Sequence, residues 1–153
     1  MEKITSILAK KQPHFHTVSP QSTVKDAVNQ MCCENIDHLI VIDDQERFLG
    51  VVSEHDVTSK AMFANKSLTE TMVTDVMDTH LPVATINDSV EKCMQLMKQF
   101  RVRLVPVFEG FSFRGVISSE DIIQEAVFNR MKIFDTEDEG PAARVYVISQ
   151  SPR

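Results

Sequence analysis

The sequence predicts a mixed α/β (α+β) fold in which two βαββα units pack sheet to sheet with pseudo-twofold symmetry. Two stretches, 50–56 and 115–121, share one pattern: a glycine, two aliphatic residues, a serine and, three positions later, an aspartate. The glycines of the two stretches lie 65 residues apart, and so do the aspartates, which keeps the copies in register. This register indicates an internal duplication rather than a chance recurrence of a short polar motif.

The duplication extends upstream of this pattern. Residues 22–27 correspond to 88–93, and residues 38–43 correspond to 104–109, both at an offset of 66. One residue is therefore lost in the turn before Gly115, where a change in length is easily tolerated. A single unit would leave one hydrophobic sheet face uncovered, so we expect the two sheets to pack together.

The first copy opens with a short amphipathic helix. Its apolar residues at positions 4, 7 and 8 share one helical face, and the stretch 10–13 ends it. An extended segment at 15–18 follows. Apolar residues at the i, i+3, i+4 and i+7 spacing then predict a second helix, with Ser22 or Thr23 as its N-cap.

A β-hairpin and a helix complete the first copy. Two short runs rich in β-branched residues, 38–43 and 48–53, flank the polar turn 44–47, which is typical of a hairpin. A helix opens at Asp56, and the polar segment 64–68 connects it to the second copy.

The second copy repeats this order. We expect a short helix at 72–77, an extended segment at 81–85, a helix at 89–100, strands at 103–109 and 113–118, and a helix from 120 to about 131. The units are therefore placed at 1–67, which includes the N-terminal helix, and at 68–131. Residues 132–153 form an acidic tail, in which 143–149 alternate like a strand that either pairs with a sheet edge or stays flexible.

Composition limits the function. A chain of 153 residues with 42% hydrophobic content is large enough to bury a core. Its formal charge of −6 opposes binding to nucleic acid and to an anionic membrane, and no basic stripe offsets that charge. The lack of a long apolar run and the polar start predict a cytoplasmic protein. Three cysteines, two of them adjacent, form neither a disulfide framework nor a zinc pattern, and we interpret them as packing residues.

Several motifs occur in the same order in the two copies. They are Ser22-Thr23-Val24-x-x-Ala27 with Met31, the run 38–43, the run 49–57, Val105-Pro106-Val107, and Gly115-Val116-Ile117-Ser118-x-x-Asp121-Ile122. This ordered set resembles a tandem pair of CBS domains, the regulatory modules named after cystathionine beta-synthase. The resemblance covers nearly everything from residue 4 to about residue 131.

The resemblance implies a Bateman module with two clefts related by pseudo-symmetry. Such clefts commonly bind adenosine-containing ligands, such as AMP, ADP, ATP or S-adenosylmethionine, and no further cofactor is required. It also implies a homodimer that signals through a conformational shift. Since no enzyme or channel domain is attached, we expect a stand-alone regulatory module or one that acts on a separate protein.

The strand-to-helix corners suit a nucleotide. Ser53 and Ser118 lie where a strand ends and a helix begins, and the free N–H groups and the dipole of the helix favour an anion such as phosphate there. Asp56 and Asp121 are placed to accept hydrogen bonds from ribose hydroxyls. The same four residues also describe ordinary N-caps with an acidic N3 residue, and both interpretations can hold together.

Family geometry places the base between the last strand of one copy and the first extended segment of the other. By this transfer, the first cleft contains Ser53, Asp56, Pro82, Val83, Ala84 and Arg103. The second cleft contains Ser118, Asp121, Thr17, Val18 and His38, with Asp37 and Glu120 near in sequence. Because Arg103 would pair with a phosphate as a fixed cation, we expect the first cleft to take the phosphorylated ligand if one cleft alone does.

Three hypotheses from different classes remain open. The leading one is a noncatalytic regulatory module that binds an adenine nucleotide or another adenosyl compound. The alternative is a ligand-free dimerisation or protein-interaction scaffold with the same fold. A small hydrolase or metal-dependent enzyme that uses His38, His55 and the aspartates is the weakest, because no nucleophile with a base and no metal triad can be assembled. No catalytic and no metal-binding residues are therefore predicted.

Overall fold

The computed structural model describes residues 3–11 and 15–134. The first copy contains α1 (Ile4–Lys11), β1 (Thr17–Val18), α2 (Val24–Glu34), β2 (His38–Ile42), β3 (Phe48–Ser53) and α3 (Glu54–Asp56), which continues as a π-helical segment (Val57–Met62). The second copy contains a 3-10 turn (Val73–Asp75), β4 (Ala84–Thr85), α4 (Val90–Phe100), β5 (Leu104–Glu109), β6 (Ser112–Ser118) and α5 (Ser119–Phe134). The predicted pair of βαββα units is confirmed.

The two sheets have the same topology. In the first sheet, β1 runs parallel to β2 and β2 runs antiparallel to β3, and the second sheet repeats this with β4, β5 and β6. The registers also correspond, since Val41 pairs with Gly50 and Val107 pairs with Gly115. Each hairpin has a register shift one residue beyond these pairs, so the duplication is preserved down to the backbone irregularity.

The helix ends are capped locally. Thr23, one of the two predicted candidates, is the N-cap of α2 and forms a capping box with Asp26. The hydrogen bond from the Thr23 backbone lowers the pKa of the Asp26 carboxyl, and the Thr23 side chain lowers it further. Both α2 and α4 end in a left-handed residue, Asn35 in one copy and Arg101 in the other.

The two sheets pack face to face, as predicted. Ile40 and Val51 of the first sheet and Leu104 and Val116 of the second form one buried cluster. Helices cover the outer face of each sheet with separate apolar clusters. The domain therefore has a shared layer between its two repeats, which positions the strand ends of one repeat opposite those of the other.

Two segments cross between the repeats. Helix α1 packs in the core of the second repeat, where Ile4, Ile7 and Leu8 join residues of α4, β5 and β6. The segment that contains Val73 and Val76 packs in the core of the first repeat. The predicted sequence boundary between 67 and 68 stays a prediction, but the packing crosses it in both directions.

Some elements differ from the expectation. The helix predicted at 72–77 is a single 3-10 turn, because the backbone of Asp78 pairs with Val51 in the first sheet and prevents the helix from continuing. Helix α5 extends to Phe134, past the predicted end near Met131. The sequence contains neither glycine nor proline between Met131 and Gly140 to stop it.

The packing role predicted for the cysteines is confirmed for Cys93 and wrong for Cys32 and Cys33. Cys93 lies on the buried face of α4 and is fully buried, whereas Cys32 and Cys33 are exposed. The buried face of α2 is formed by Val24, Ala27 and Met31, and the two cysteines that follow Met31 turn away from it. The acidic run and the strand predicted at 143–149 lie outside the described residues. Among the described helices, none has both the length and the apolar character needed to cross a membrane.

Candidate functional site

A cavity of about 590 Å³ lies between the two repeats, at the end of the sheets where β3 and β6 run into helices. We call it the central cavity. Each repeat contributes the strand-to-helix corner and the helix-to-strand connection, with 53–56 and 37–38 from the first repeat and 118–120 and 101–104 from the second. The pseudo-symmetry therefore brings two pairs of equivalent chain segments together around one cavity.

The central cavity unites residues from both predicted clefts. Five of the predicted residues line it, namely Ser53, Asp56, Arg103, His38 and Ser118. The other six are not part of its lining, namely Pro82, Val83, Ala84, Thr17, Val18 and Asp121. From the extended segment that precedes β4, Leu81 reaches the cavity instead.

The first corner, residues 53–56, is held by a capping box. The Ser53 hydroxyl accepts a hydrogen bond from the Asp56 backbone at 3.1 Å, and the Asp56 carboxylate accepts from the Ser53 backbone at 2.9 Å. The Ser53 hydroxyl also donates to this carboxylate at 2.8 Å. Lys60 lies 2.9 Å from the other carboxylate oxygen and neutralises it, so Asp56 is 7% exposed without an unpaired buried charge.

The second corner, residues 118–121, repeats the two hydrogen bonds to the backbone but has a different cation. The Asp121 carboxylate accepts from the Ser118 backbone N–H at 2.7 Å, and the Ser118 hydroxyl accepts from the Asp121 backbone N–H at 3.1 Å. Lys11 of α1 lies 2.8 Å from the Asp121 carboxylate and donates to the Val116 carbonyl at 3.0 Å. An element 110 residues away in sequence thus neutralises this corner, and Lys10 adds a second such link to Glu125.

Several backbone N–H groups at the two corners already donate hydrogen bonds within the protein. The backbone N–H of Glu54 donates to the Asp37 carbonyl at 3.0 Å, and that of Ser119 donates to the Arg103 carbonyl at 2.9 Å. Together with the capping bonds, they satisfy the N–H groups of Ser53, Glu54 and Asp56. A phosphate that took one of these three N–H groups would have to replace an existing bond, whereas an unpaired cationic side chain requires no such exchange.

The walls of the central cavity carry opposite charges. Arg101 and Arg103 lie on the wall formed by the end of α4 and the start of β5. The equivalent positions of the first repeat are Asn35 and Asp37, one neutral and one acidic. Glu54 and Glu120, in the first turns of α3 and α5, add carboxylates. His38 contacts Asp37 at 2.8 Å.

Sequence reasoning missed Arg101 as a cavity residue. The signal that would have found it is the alignment of the repeats, which places Arg101 at the left-handed C-cap that Asn35 occupies in the first copy. Arg101 lies two positions before Arg103, which was already expected to bind a phosphate.

Two histidines belong to the lining of the central cavity. His38 and His55 share this lining with three serines, and the hydroxyl groups of two of them, Ser53 and Ser118, are bonded within their corners. Within residues 3–11 and 15–134, no three His, Cys, Asp or Glu side chains gather in a way that would hold a metal ion.

Comparison with known proteins gives one consistent relationship. The model of the CBS domain family matches residues 7–62 and again residues 73–127. These two matches correspond to the two copies seen in the sequence and in the sheets.

Among curated proteins, the chain is similar to a homoserine O-acetyltransferase of Methanococcus vannielii, with 29% identity over 79% of this chain and 24% of that protein. It is also similar to the CBS domain-containing protein CBSX3, mitochondrial, of Arabidopsis thaliana, with 31% identity over 69% of this chain and 53% of that protein. The chain therefore spans about a quarter of the first relative and about half of the second.

Among solved structures, a protein with CBS domains from Burkholderia ambifaria superimposes with a TM-score of 0.77 at 26% identity. The superposition covers 84% of this chain and 96% of that one.

Proposed function

The chain belongs to the CBS domain family, and from that premise we propose that it binds an adenosine-containing ligand, AMP, ADP, ATP or S-adenosylmethionine, in the central cavity. One observation carries this proposal: both strand-to-helix corners and Arg103 face one cavity between the repeats. A volume of about 590 Å³ lies in the range typical of small-molecule sites. The ligand would contact Ser53, Asp56, Ser118, His38 and Arg103.

The proposed role is regulatory and noncatalytic. A ligand that touches both repeats binds most tightly to one arrangement of the two halves and shifts the population toward it. We propose that a homodimer in the cytoplasm transmits this shift to a separate protein. Pro82, Val83, Ala84, Thr17, Val18 and Asp121 stay predicted contacts for a ligand that extends beyond the central cavity.

Isothermal titration calorimetry with AMP, ADP, ATP and S-adenosylmethionine tests the proposal. We expect at least one of the four to bind the purified protein with a stoichiometry of one or two per chain. The variant Arg103→Met should weaken that binding by roughly tenfold or more, since a hydrogen bond to a charged group is lost. Arg130→Met is the matched control, because Arg130 is exposed on α5 outside the cavity.

Two results would contradict the proposal. One is the absence of any heat of binding, together with an unchanged melting temperature, at millimolar concentrations of all four compounds. The other is equal loss of affinity in Arg103→Met and Arg130→Met, since that would place the ligand elsewhere.

A ligand-free dimerisation or protein-interaction scaffold is the second candidate, and specific observations favour it. The serines and aspartates of both corners are bonded within their own capping boxes. Helix α5 also exposes Ile123 and Val127, four residues apart on one face, to 62% and 52%. Light scattering distinguishes this candidate, because a dimer that is dissociated by Ile123→Glu but unaffected by all four compounds supports the scaffold.

A further inference from the structure

The charges that line the central cavity discriminate among the adenosine compounds. This inference rests on the proposed function and deepens it. The geometry points to a site for an adenosyl ligand with a single anionic group, such as AMP or S-adenosylmethionine, and against the polyphosphates ADP and ATP.

The cationic part of the cavity is small. Arg101 and Arg103 are exposed residues separated by one position, and both line the cavity beside the start of β5. Among the described residues, no ion pair holds either of them, whereas Arg47 and Arg114 pair with Asp43 and Glu109. Two available guanidinium groups form one subsite for a phosphate or a carboxylate.

The pseudo-symmetry does not produce a second anion subsite. The positions equivalent to Arg101 and Arg103 in the first repeat are Asn35 and Asp37, of which Asp37 lines the cavity and contributes a carboxylate that repels an anion. His38 is held by the carboxylate of Asp37 rather than facing a ligand alone. A ligand therefore finds one cationic wall in the cavity rather than two.

The remaining charged lining is acidic. Asp56 is neutralised by Lys60, but four more carboxylates line the cavity, namely Asp37, Glu54, Asp78 and Glu120. They outnumber the two arginines. A second or third phosphate must extend from the arginine wall toward this acidic lining, within a cavity whose dimensions are comparable to the screening length of about 8 Å at physiological ionic strength. Each added phosphate should thus weaken binding.

Titration calorimetry of the four compounds in buffer with EDTA tests this inference, because EDTA removes Mg²⁺ that would mask the phosphate charge. We expect AMP to bind most tightly of the three nucleotides, with each added phosphate lowering affinity roughly threefold to tenfold, and S-adenosylmethionine to bind at least as well as ADP. Arg101→Gln should reduce AMP binding, which would establish Arg101 as a ligand contact.

A double variant tests the cause of the discrimination. Glu54→Gln/Glu120→Gln removes two carboxylates from the cavity and should raise the affinity for ATP more than the affinity for AMP. The matched control is Asp44→Asn/Glu70→Gln, which removes the same charge from exposed positions outside the cavity. Its ratio of ATP to AMP affinity should stay that of the unmodified protein.

The failures of the two proposals are distinguishable. If none of the four compounds binds, the proposed function itself is wrong. If ATP binds as tightly as AMP, or the two double variants change the ratio equally, an adenosyl site exists but its lining charges do not select the ligand.

Discussion

Burial raises the pKa of the Cys93 thiol to about 11, and the charge of Asp88 acts in the same direction. At neutral pH this thiol is protonated, and it is fully buried on the inner face of α4, so it behaves as a small hydrophobic side chain. Cys32 and Cys33 lie on the exposed face of α2. The three cysteines therefore differ in reactivity although the sequence alone suggested the same role for all of them.

Iodoacetamide treatment of the folded protein at pH 8 should modify Cys32 and Cys33 and leave Cys93 unmodified. The reason is that the reagent needs an accessible thiolate, and Cys93 is neither accessible nor ionised. Mass spectrometry should show two adducts on the folded chain and three after denaturation in urea. Rapid addition of a third adduct without urea would contradict the burial of Cys93.

The same thiol gives a pH dependence of stability. An unfolded cysteine ionises near pH 8.5, while the folded Cys93 retains its proton until about pH 11. The unfolded state therefore binds fewer protons in this window, and the free energy of unfolding falls as the pH rises through it. The variant Cys93→Ala should lose this part of the decline in urea titrations, whatever its absolute stability.

Local spacing explains which parts of the site were visible in the sequence. Ser53 and Asp56 are three residues apart, and their capping box could be inferred because both partners lie in one turn. Lys11 and Asp121 are 110 residues apart, and no local pattern indicates that they meet. Arg101 was hidden for a related reason, since its position depends on the left-handed end of α4.

At the scale of elements, the repeats were predictable because periodicity and register are properties of the sequence. What was not predictable is the exchange of segments, in which α1 packs on the second repeat and Val73 packs on the first. Gly50 and Gly115 lie where other segments of the chain pack closely against the sheets. A Cβ on Gly50 would lie 2.7 Å from the Asp78 carbonyl, and one on Gly115 would lie 2.5 Å from the Phe15 ring.

Truncation of Ile4 tests the exchange. Ile4 is fully buried in the core of the second repeat, so Ile4→Ala should lower the free energy of unfolding by about 3 kcal/mol. Hydrogen exchange should quicken first at the amides of Val116 and Ile117 in the second repeat, and less in β2 and β3. Met62→Ala is the control, because Met62 is 58% exposed and its truncation should change stability little.

Within residues 3–11 and 15–134, the two repeats form a single body because their sheets share one layer. At one end of that layer lies the central cavity, and at the other end four phenylalanines meet near the hairpin turns. The Phe48 ring of the first repeat stacks on the Phe113 ring of the second at 4.8 Å and meets the Phe108 ring at 5.8 Å. Phe15 completes the cluster against Phe113 at 6.4 Å. The cluster therefore joins the two repeats through contacts between their sheets.

Loss of one ring from this cluster should therefore destabilise both repeats. Phe48→Ala removes a half-buried ring that contacts two rings of the other sheet, and it should lower the free energy of unfolding by about 2–3 kcal/mol. Because the layer is shared, urea unfolding should keep one transition, and hydrogen exchange should quicken in β2 and β5 alike. Phe111→Ala is the matched control, since Phe111 is fully exposed at a hairpin tip and contributes no such contact among the described residues. Two separate transitions, or exchange that quickens in the first repeat alone, would show that the repeats fold as independent bodies.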